Sequence, residues 1–574
     1  MKKLINRPER VVGEMLEGFL VLYGGLARLS HYNVLLRSDA DEVRERQIAL
    51  ISGGGSGHEP AHGGYVGAGM LSAAVAGEVF TSPPADTVLA AVKAVSGKPG
   101  VLLIVKNYTG DRLNFGLAAE MARAEGICVE TVIVADDVAL AETEETAGRR
   151  GIAGTVLIHK IAGAAAAAGL DLPQVASIAQ AAADNVGTMG VSLSAGISPA
   201  VGKASFTLGE DEMELGLGIH GEPGVRRVPL APADEVVDEL VMQIVSTLRL
   251  RPGERVAALI NNLGSTTAME LAIVARRMLF ALDSHGLIAE RFYCGTFVSS
   301  LEMAGISLSL LRVDDGRLKW LDAPTSAPAW PSSLARAADS GDTRTVESVT
   351  VTRQSTEHFV QTDVGKRARG AILAACDALI EAESRLTEMD RLVGDGDLGS
   401  NMTRAARAIG GNLRFYPLDD LPETFKALGL TLQEVLGGSS GPLYGVLLLR
   451  TGIFLEGGPA DDLPRWATAV IEGCGAISEL GGAKVGDRTM LDALIPFAQT
   501  FRDGITAGLP VKSVLTDAVI AAEEGAKATA RMIPRRGRSS YLGERTLGYP
   551  DPGAMAVGIW LRALVSAVVS FKSG

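Results

Sequence analysis

Three aspartates in the last third of the chain form the densest group of metal-binding side chains in the sequence. Asp390, Asp395 and Asp397 fall within eight residues, and the glycines between them permit a tight turn. Carboxylate oxygens on such turns bind hard cations, and the coordination of Mg²⁺ is typically completed by substrate phosphates. A helix that begins near Asn401 would add amide donors for phosphate. The alternative is a solvated acidic loop that caps a helix, and the spacing does not match an EF-hand.

Three further loops combine glycine with hydroxyl or cationic side chains. They are Gly437–Pro442 (GGSSGP), Gly481–Met490 (GGAKVGDRTM), and Arg535–Thr546 (RRGRSSYLGERT) with Asp551–Ala554 (DPGA) after it. Each alone could be an ordinary connection between helices. Together with the aspartates they favour a nucleotide site at the end of a helical bundle, where backbone N–H groups contact phosphate. Because the sequence has no G-x-x-x-x-G-K-[ST] motif, a P-loop is not supported.

A second group of candidate residues lies in glycine-rich segments of the first half. Residues 52–60 (SGGGSGHEP) follow an apolar run but do not fit the dinucleotide motif G-x-G-x-x-G. Residues 106–111 (KNYTGD) follow another apolar run, and residues 216–224 (GLGIHGEPG) place His220 between glycines. A single buried His is more often a hydrogen-bonded structural residue. For His58 and His220, the glycine-rich loops favour a functional role.

The elements that must position these loops alternate between strands and helices in residues 1–325. Strand candidates are Gln47–Ile51, Val101–Val105, Glu130–Val134 and Arg255–Ile260, and helical patterns include Asp86–Val95 and Asn114–Glu125. This alternation predicts an α/β domain, which can comprise two α/β subdomains, with a mainly parallel sheet. Ligands of such folds usually bind at the carboxyl ends of strands.

The composition changes after this α/β region. Residues 326–358 begin in a Pro/Ser-rich run and continue as a polar stretch, which predicts an exposed linker. In residues 359–574 helical periodicity dominates, as in the apolar face that comprises Ile372, Leu373, Cys376, Leu379 and Ile380. This pattern predicts a separate all-α domain.

Composition also argues against several classes of protein. The chain has 574 residues, 47% of them hydrophobic, which predicts a globular protein of more than one domain. Its net charge of −13 argues against a partner that is a nucleic acid or an anionic membrane. The four cysteines form no close pair, which fits a reducing cytosol. No apolar run reaches about 18 uninterrupted residues, so we predict no membrane span and a cytoplasmic location.

The C-terminal motifs together resemble the nucleotide-binding domain of the dihydroxyacetone kinases. The resemblance implies an all-α helical barrel in which Asp390, Asp395 and Asp397 hold Mg²⁺ ions that bridge the phosphates of ATP. The residues it places around the nucleotide are Leu398, Gly399, Ser400, Asn401, Ser439, Ser440, Gly481, Thr489, Met490, Asp551, Pro552 and Gly553. The chain departs from the family pattern at Leu398, where Cys or His is common, and at Tyr549, where His is frequent.

The N-terminal segments are similar to the dihydroxyacetone-binding domain of the same family. The resemblance implies that His220 forms a covalent hemiaminal with the ketone carbon of the substrate. It also implies that the substrate is held by Gly55, Ser56, Gly57, His58, Lys106 and Asp111. His58 and Asp111 are candidates for general acid and base, in hemiaminal formation or in deprotonation of the attacking hydroxyl. Either Arg488 or Arg545 would assist at the transferring phosphate, and the sequence does not choose between them.

Fusion of both domains in one chain resembles the ATP-dependent branch of the family. This implies a kinase that uses ATP and Mg²⁺ to phosphorylate dihydroxyacetone, and a homodimer with domain-swapped nucleotide domains. Two alternative activities are phosphorylation of a tetrulose such as erythrulose and a lyase reaction that cyclises FAD and releases cyclic FMN. A third alternative is a ketose-binding sensor without enzymatic activity, which the retained aspartates and nucleotide loops argue against.

Overall fold

The structure is a computed structural model, and it describes residues 2–140, 148–199, 202, 204, 206–220, 224–331, 357–394, 396–436, 440–536 and 538–571. The chain divides into two compact units, Met1–Glu347 and Ser348–Gly574. The expected linker at 326–358 lies largely outside the described residues. The boundaries 1–325, 326–358 and 359–574 therefore stay predictions.

The first unit contains all the strands that occur in the described part of the chain. They are β1 (Leu26–Arg28), β2 (Val34–Arg37), β3 (Ala49–Ser56), β4 (Ala73–Val79), β5 (Val101–Lys106), β6 (Val129–Val134), β7 (Val186–Ser192), β8 (Glu212–Leu215), β9 (Arg226–Pro229), β10 (Arg255–Asn262), β11 (Ile288–Gly295) and β12 (Gly305–Arg312). Its helices are α1 (Val11–Leu22), α2 (Ala40–Val43), α3 (Ala85–Val95), α4 (Thr109–Ala124), α5 (Thr155–Ala167), α6 (Leu172–Ala183), α7 (Ala233–Leu248), α8 (Ala268–Ser284) and α9 (Asp315–Asp322). Short 3₁₀ turns cover Pro8–Arg10 and Gly63–Tyr65.

The strands form two six-stranded sheets, which fits the expectation of two α/β subdomains. The first sheet has the order β1-β2-β4-β3-β5-β6 and the second has the order β11-β10-β12-β7-β8-β9. Leu102 of the first sheet and Leu259 of the second belong to one buried cluster with Ile158 of α5. Because α5 is buried along nearly its whole length, its sequence is mostly apolar and rich in alanine, with His159 and Lys160 as buried exceptions.

The prediction of a mainly parallel sheet is wrong for the second sheet. In the first, β4, β3, β5 and β6 are mutually parallel neighbours. In the second, only β10 and β11 pair in parallel, and β12 runs antiparallel to both β10 and β7. The segment from β11 to β12, residues 296–304, contains no helix. A parallel return needs a crossover of a dozen or more residues, so this short connection reverses the strand direction.

Strand β3 continues through the glycine run that the sequence suggested was a loop. It ends at Ser56 rather than Ile51. A Cβ placed on Gly53 would lie 2.3 Å from the carbonyl oxygen of Val75, and one on Gly55 would lie 2.6 Å from the backbone nitrogen of Thr81. The glycines are therefore required because the backbone next to β3 approaches too closely for a side chain.

The second unit is all-helical in its described residues, as predicted. Its helices are α10 (Asp363–Glu381), α11 (Glu383–Val393), α12 (Leu398–Asn412), α13 (Leu421–Val435), α14 (Ser440–Leu455), α15 (Leu463–Gly481), α16 (Leu491–Thr506), α17 (Val511–Ala528) and α18 (Pro552–Ser570). Short 3₁₀ turns cover Leu413–Phe415, Thr529–Arg531, Arg538–Tyr541 and Gly543–Thr546. Phe497, Phe501 and Leu561 belong to one apolar core that most of these helices share.

Helix α18 is the one described helix that is long and apolar enough to cross a membrane, with a mean hydropathy of 1.7. Ala554, Val557 and Leu561 of this helix lie in the core of the second unit, and Arg562 is paired with Glu523 of α17. These contacts show that one face of α18 packs in the core of the second unit.

Candidate active site

The structure brings His58 and His220 together, although they are far apart in the sequence. Their ring centroids lie 4.7 Å apart at an interplanar angle of 76°. Phe80 stacks on His58 at 5.1 Å, and the ring of Tyr108 lies 4.6 Å from that of His220. The rings of Phe80 and Tyr108 therefore flank the two imidazoles. Neither Phe80 nor Tyr108 was identified as a candidate from the sequence.

Lys106 and Asp111 are both buried beside the glycine strand. Lys106 is the last residue of β5, and Asp111 lies in the first turn of α4, which begins at Thr109 and not near Asn114. A Cβ placed on Gly54 would lie 3.2 Å from Nζ of Lys106 and 3.4 Å from Oδ2 of Asp111. The absence of a side chain at Gly54 therefore leaves space directly against both predicted substrate-binding residues.

Gly55, Ser56 and Gly57 shape the turn that leads to His58. The Ser56 hydroxyl donates to the carbonyl of Gly77 at 2.7 Å. The N–H of Gly57 donates to the Glu59 carboxylate at 3.0 Å, and burial raises the pKa of Glu59. These contacts hold the backbone of the turn, while direct substrate contact by the three residues stays a prediction.

The ring of His58 is fully buried and has a defined orientation. Its Nδ1 lies 2.8 Å from the carbonyl oxygen of Ser299, and its Nε2 has no hydrogen-bond partner among the described residues. Burial, followed by the nearby charge of Lys106 and the ring of His220, lowers the pKa of His58 well below its usual value. His58 is therefore neutral at physiological pH.

Two buried hydrogen bonds hold the backbone of residues 216–219, which directly precede His220. The Ser300 hydroxyl donates to the carbonyl of Ile219 at 2.5 Å, and the guanidinium of Arg150 donates to the carbonyl of Gly216 at 2.7 Å. Arg150 is in turn bonded to Asp137 at 2.7 Å. Sequence reasoning did not identify Ser300, Arg150 or Asp137, because none of them belongs to a motif.

A second pair of buried histidines, His62 and His159, lies close to this group. Their ring centroids are 5.1 Å apart, and none of their four ring nitrogens has a hydrogen-bond partner among the described residues. Burial, then the charge of Lys106, lowers the pKa of His159 to about 3. The pKa of His62 is lowered well below its usual value, mainly by burial and then by Lys106. Both rings are therefore neutral.

In the second unit, Asp390 closes the acidic turn. Its Oδ2 accepts hydrogen bonds from the backbone N–H of Asp397 at 3.0 Å and of Leu398 at 3.2 Å. Helix α12 begins at Leu398 rather than near Asn401, so Leu398, Gly399, Ser400 and Asn401 form its first turn. Asp395 lies outside the described residues. Among those that are described, no group of three or more His, Cys, Asp or Glu is arranged to hold a metal ion.

The other predicted nucleotide residues lie at helix ends. Ser440 opens α14 and Gly481 closes α15, whereas Ser439 lies outside the described residues. Thr489 and Met490 immediately precede α16, and the N–H of Thr489 donates to the carboxylate of Asp492 at 2.8 Å. Asp551 caps α18 by accepting from the N–H of Ala554 at 2.8 Å, and Pro552 and Gly553 form the first turn of that helix.

Three of these segments lie close enough for their charged side chains to influence one another. Burial raises the pKa of Asp551 to about 6, and the charges of Asp492 and Asp390 add to the effect while Arg488 opposes it. The acidic turn, the loop before α16 and the start of α18 therefore lie near one another. The guanidinium of Arg536 lies close to the loop before α16. A Cβ placed on Gly482, in that loop, would be 3.7 Å from it.

The residues of this region fit Mg²⁺ and a nucleotide. Asp390 and Asp397 carry carboxylate oxygens on one tight turn, in which Gly396 adopts a φ of 77°, and oxygen is the donor that Mg²⁺ prefers. Helices α12, α14 and α18 present N-terminal turns, which favour phosphate. That three aspartates hold the metal stays a prediction, because Asp395 is not described.

Comparisons with known proteins agree with both halves of this description. A Dak1 domain model matches residues 17–329 and a DAK2 domain model matches residues 392–566. The chain is 44% identical to the putative 3,4-dihydroxy-2-butanone kinase of Solanum lycopersicum, covering 99% of this chain and 98% of that one. It is 43% identical to the triokinase/FMN cyclase of Rattus norvegicus, with 99% of each covered.

A solved structure matches over the full length as well. The crystal structure of the dihydroxyacetone kinase from C. freundii in complex with AMP-PNP and Mg²⁺ gives a TM-score of 0.62 at 35% identity and covers 98% of this chain and 99% of that chain. The chain therefore belongs to the single-chain dihydroxyacetone kinase family. The predicted fold class, an α/β region followed by an all-helical region, is confirmed.

Proposed function

We propose that this protein is an ATP- and Mg²⁺-dependent kinase that phosphorylates dihydroxyacetone held as a hemiaminal on His220. The observation that carries the proposal is the position of the His220 ring, 4.7 Å from the neutral ring of His58 and flanked by the rings of Phe80 and Tyr108. A ketone carbon can accept a nitrogen nucleophile and a simple polyol has no such carbon. Covalent capture therefore selects a ketose against glycerol.

The covalent step requires one proton transfer. A lone pair on a ring nitrogen of His220 adds to the ketone carbon, and a C–N bond forms as the π bond of the carbonyl breaks. The carbonyl oxygen gains a proton and becomes a hydroxyl, while the ring gives up its N–H proton. His58 and Asp111 are the candidates to move this proton, because both are buried beside the pocket.

The phosphorylation step requires a base for the attacking hydroxyl of the ketose. Nε2 of His58 can accept a hydrogen bond from such a hydroxyl, because its ring is neutral and the nitrogen has no described partner. Lys106 and Asp111 lie against Gly54 and would orient the remaining hydroxyls. Phosphoryl transfer depends mainly on such positioning and on electrostatics.

In the second unit, Asp390, Asp395 and Asp397 would hold Mg²⁺. The bound ions would neutralise negative charge on the phosphates. Backbone N–H groups at the starts of α12, α14 and α18 would contact the nucleotide. Residues 359–574 contain no histidine, and the part of this unit in catalysis would be to bind and position ATP.

Mass spectrometry of the intact protein tests the role of His220. Incubation with dihydroxyacetone should add the mass of one substrate, and His220→Ala should abolish the adduct. His285→Ala, which removes a histidine at the end of α8, is the matched control and should keep it. An unchanged adduct in His220→Ala would exclude His220 as the nucleophile.

A coupled ADP-release assay then separates a kinase from a sensor. Turnover that requires dihydroxyacetone and Mg²⁺ supports the kinase, whereas an adduct without turnover would favour a ketose-binding sensor. The same assay should compare dihydroxyacetone with C4 ketoses such as erythrulose. The name of the tomato relative, a putative kinase of the C4 ketone 3,4-dihydroxy-2-butanone, gives the four-carbon alternative its support.

A second candidate activity is cyclisation of FAD with release of cyclic FMN. The name of the rat relative, triokinase/FMN cyclase, supports it at 43% identity. This reaction would use the nucleotide-binding unit without the ketose pocket. Release of cyclic FMN should therefore survive His220→Ala and be lost in Asp395→Asn, which removes a metal-binding carboxylate. Loss in both variants would contradict this division.

We also propose a homodimer with domain-swapped nucleotide domains and a cytoplasmic location. The family resemblance supports the first, and the absence of any close cysteine pair supports a reducing compartment. Light scattering coupled to size-exclusion chromatography should give twice the mass of the 59.7 kDa chain.

A further inference from the structure

Arg488 has the largest fully buried side chain in the described part of the protein. It lies in the loop between α15 and α16, next to Thr489 and Met490, and its backbone adopts a φ of 62°. A left-handed conformation is unusual for a residue with a long side chain. The loop thus directs a guanidinium into the interior of the second unit.

The described residues leave this guanidinium largely unsatisfied. Nη2 donates to the carbonyl of Tyr549 at 3.1 Å, but Nε and Nη1 have no hydrogen-bond partner among the described residues. The carboxylate of Asp551 is 3.9 Å from Nη1, which is beyond hydrogen-bond range. A buried guanidinium is costly when some of its N–H groups have no acceptor. Nε and Nη1 are such groups among the described residues.

The neighbouring carboxylates already have other partners. Both oxygens of Asp492 accept backbone N–H groups, from Gly486 at 2.6 Å and from Thr489 at 2.8 Å. Oδ2 of Asp390 accepts two others from its own turn. These contacts hold the loop around Arg488 in place. A phosphate presents several oxygens to adjacent N–H groups, and it matches the guanidinium in this way.

Arg545, the other cation that the sequence offered, does not share this environment. Its side chain is exposed, and it lies in the 3₁₀ turn Gly543–Thr546. The competing explanation for Arg488 is structural, because its bond to Tyr549 joins two loops. That explanation accounts for Nη2, and the ion pair of Nη1 with Asp551 at 3.9 Å belongs to it as well, but Nε and Nη1 still have no hydrogen-bond acceptor among the described residues.

We infer that Arg488 binds the polyphosphate of the nucleotide, with Nε and Nη1 donating to oxygens beyond the α-phosphate. The assignment rests on the proposed function and deepens it. It makes Arg488, and not Arg545, the arginine that contacts the phosphates next to Asp390. The positive charge of Arg488 would also offset part of the repulsion between the nearby carboxylates and an anionic ligand.

Calorimetric titration of the full chain in the presence of Mg²⁺ tests the assignment with AMP, ADP and AMP-PNP. Arg488→Lys keeps the charge but lacks the planar fork of donors. We expect it to weaken ADP and AMP-PNP by more than tenfold and AMP by less than threefold. Arg545→Lys is the matched control and should leave all three affinities unchanged. Equal weakening of AMP and ADP would show a structural role and overturn the assignment.

A structure of the wild-type protein with Mg²⁺ and AMP-PNP provides a test that does not depend on a variant folding. Nε or Nη1 of Arg488 should lie within hydrogen-bond distance of a β- or γ-phosphate oxygen, and a phosphate that contacts neither atom would overturn the inference. The proposed function fails separately. If the wild type binds no nucleotide, both the kinase proposal and this inference are wrong. If Arg488→Lys binds ADP and AMP-PNP as tightly as the wild type does, only the inference is wrong.

Discussion

The carbonyl oxygen of Ser299 lies 2.8 Å from Nδ1 of His58, across 241 positions of sequence. A carbonyl can only accept a hydrogen bond, so Nδ1 must carry the proton. The ring is neutral because burial lowers its pKa. Nε2 therefore holds a lone pair, and it belongs to the ring that faces His220. This bond between the two residues fixes the tautomer in which His58 can act as a base.

Replacement of His58 by Asn should separate these two functions of the ring. The Asn side-chain N–H can still donate to Ser299, but no atom replaces the Nε2 lone pair. We expect kcat with dihydroxyacetone to fall by about 10²–10⁴, the usual contribution of a general base, with little change in melting temperature. An ADP-release assay measures the rate. A kcat within threefold of the wild type would assign the base to another group, with Asp111 the next candidate.

Replacement of Ser300 by Ala should weaken ketose binding without affecting the nucleotide. The variant loses the bond to the Ile219 carbonyl, which lies one residue before His220. A buried acceptor left unsatisfied costs about 1–3 kcal/mol, so KM for dihydroxyacetone should rise about tenfold while KM for ATP stays constant. Ser299→Ala is the matched control, because Ser299 contacts His58 through its backbone. A parallel rise in both variants would indicate a general packing defect.

Replacement of Gly54 by Ala should block the ketose pocket. The new methyl carbon would lie 3.2 Å from Nζ of Lys106 and 3.4 Å from Oδ2 of Asp111, where it would displace one or both groups. We expect loss of the adduct on His220 and at least a hundredfold lower kcat/KM. Gly24→Ala places its methyl group in open space and should behave like the wild type. A normal adduct in Gly54→Ala would show that the substrate lies elsewhere.

The motifs of the sequence identified the family, the two kinds of unit and the histidines of the pocket. They could do so because each motif is a local run, such as the glycines of β3 or the aspartates around residue 395. Residues that act through one long-range contact escaped detection. Ser300 is one serine among many, and only the fold places its hydroxyl on the carbonyl of Ile219.

The sequence was also a poor guide to local geometry at the two sites. Glycines 53–55 suggested a loop because glycine disfavours strands, yet they belong to β3, where neighbouring backbone excludes side chains. The choice between Arg488 and Arg545 could not be made either, since both lie in glycine-containing runs with similar composition. Burial separates them, and burial depends on tertiary packing.

The buried histidines should make the first unit less stable at low pH. The pKa of His159 is about 3 in the folded protein and about 6.5 when unfolded. Between these values the unfolded chain binds an extra proton, so the free energy of unfolding falls as the pH falls. From pH 7 to pH 5 this single residue should remove about 2 kcal/mol. His62 and His58 should act in the same direction, because their pKa values are also lowered.

Urea unfolding of His159→Leu at pH 7 and pH 5 measures this contribution. The substitutions Trp466→Phe and Trp560→Phe would leave Trp320 and Trp330 of the first unit as the only tryptophans. Tryptophan fluorescence would then report the unfolding of that unit alone. The variant should lose about 2 kcal/mol less than the parent between the two pH values, since it has no imidazole to protonate on unfolding. Leu157→Ala, a buried change on the same helix without a titratable group, should shift both values equally. A pH dependence of His159→Leu identical to that of the parent would mean that the pKa of His159 is the same in the folded and unfolded protein, and that burial does not lower it.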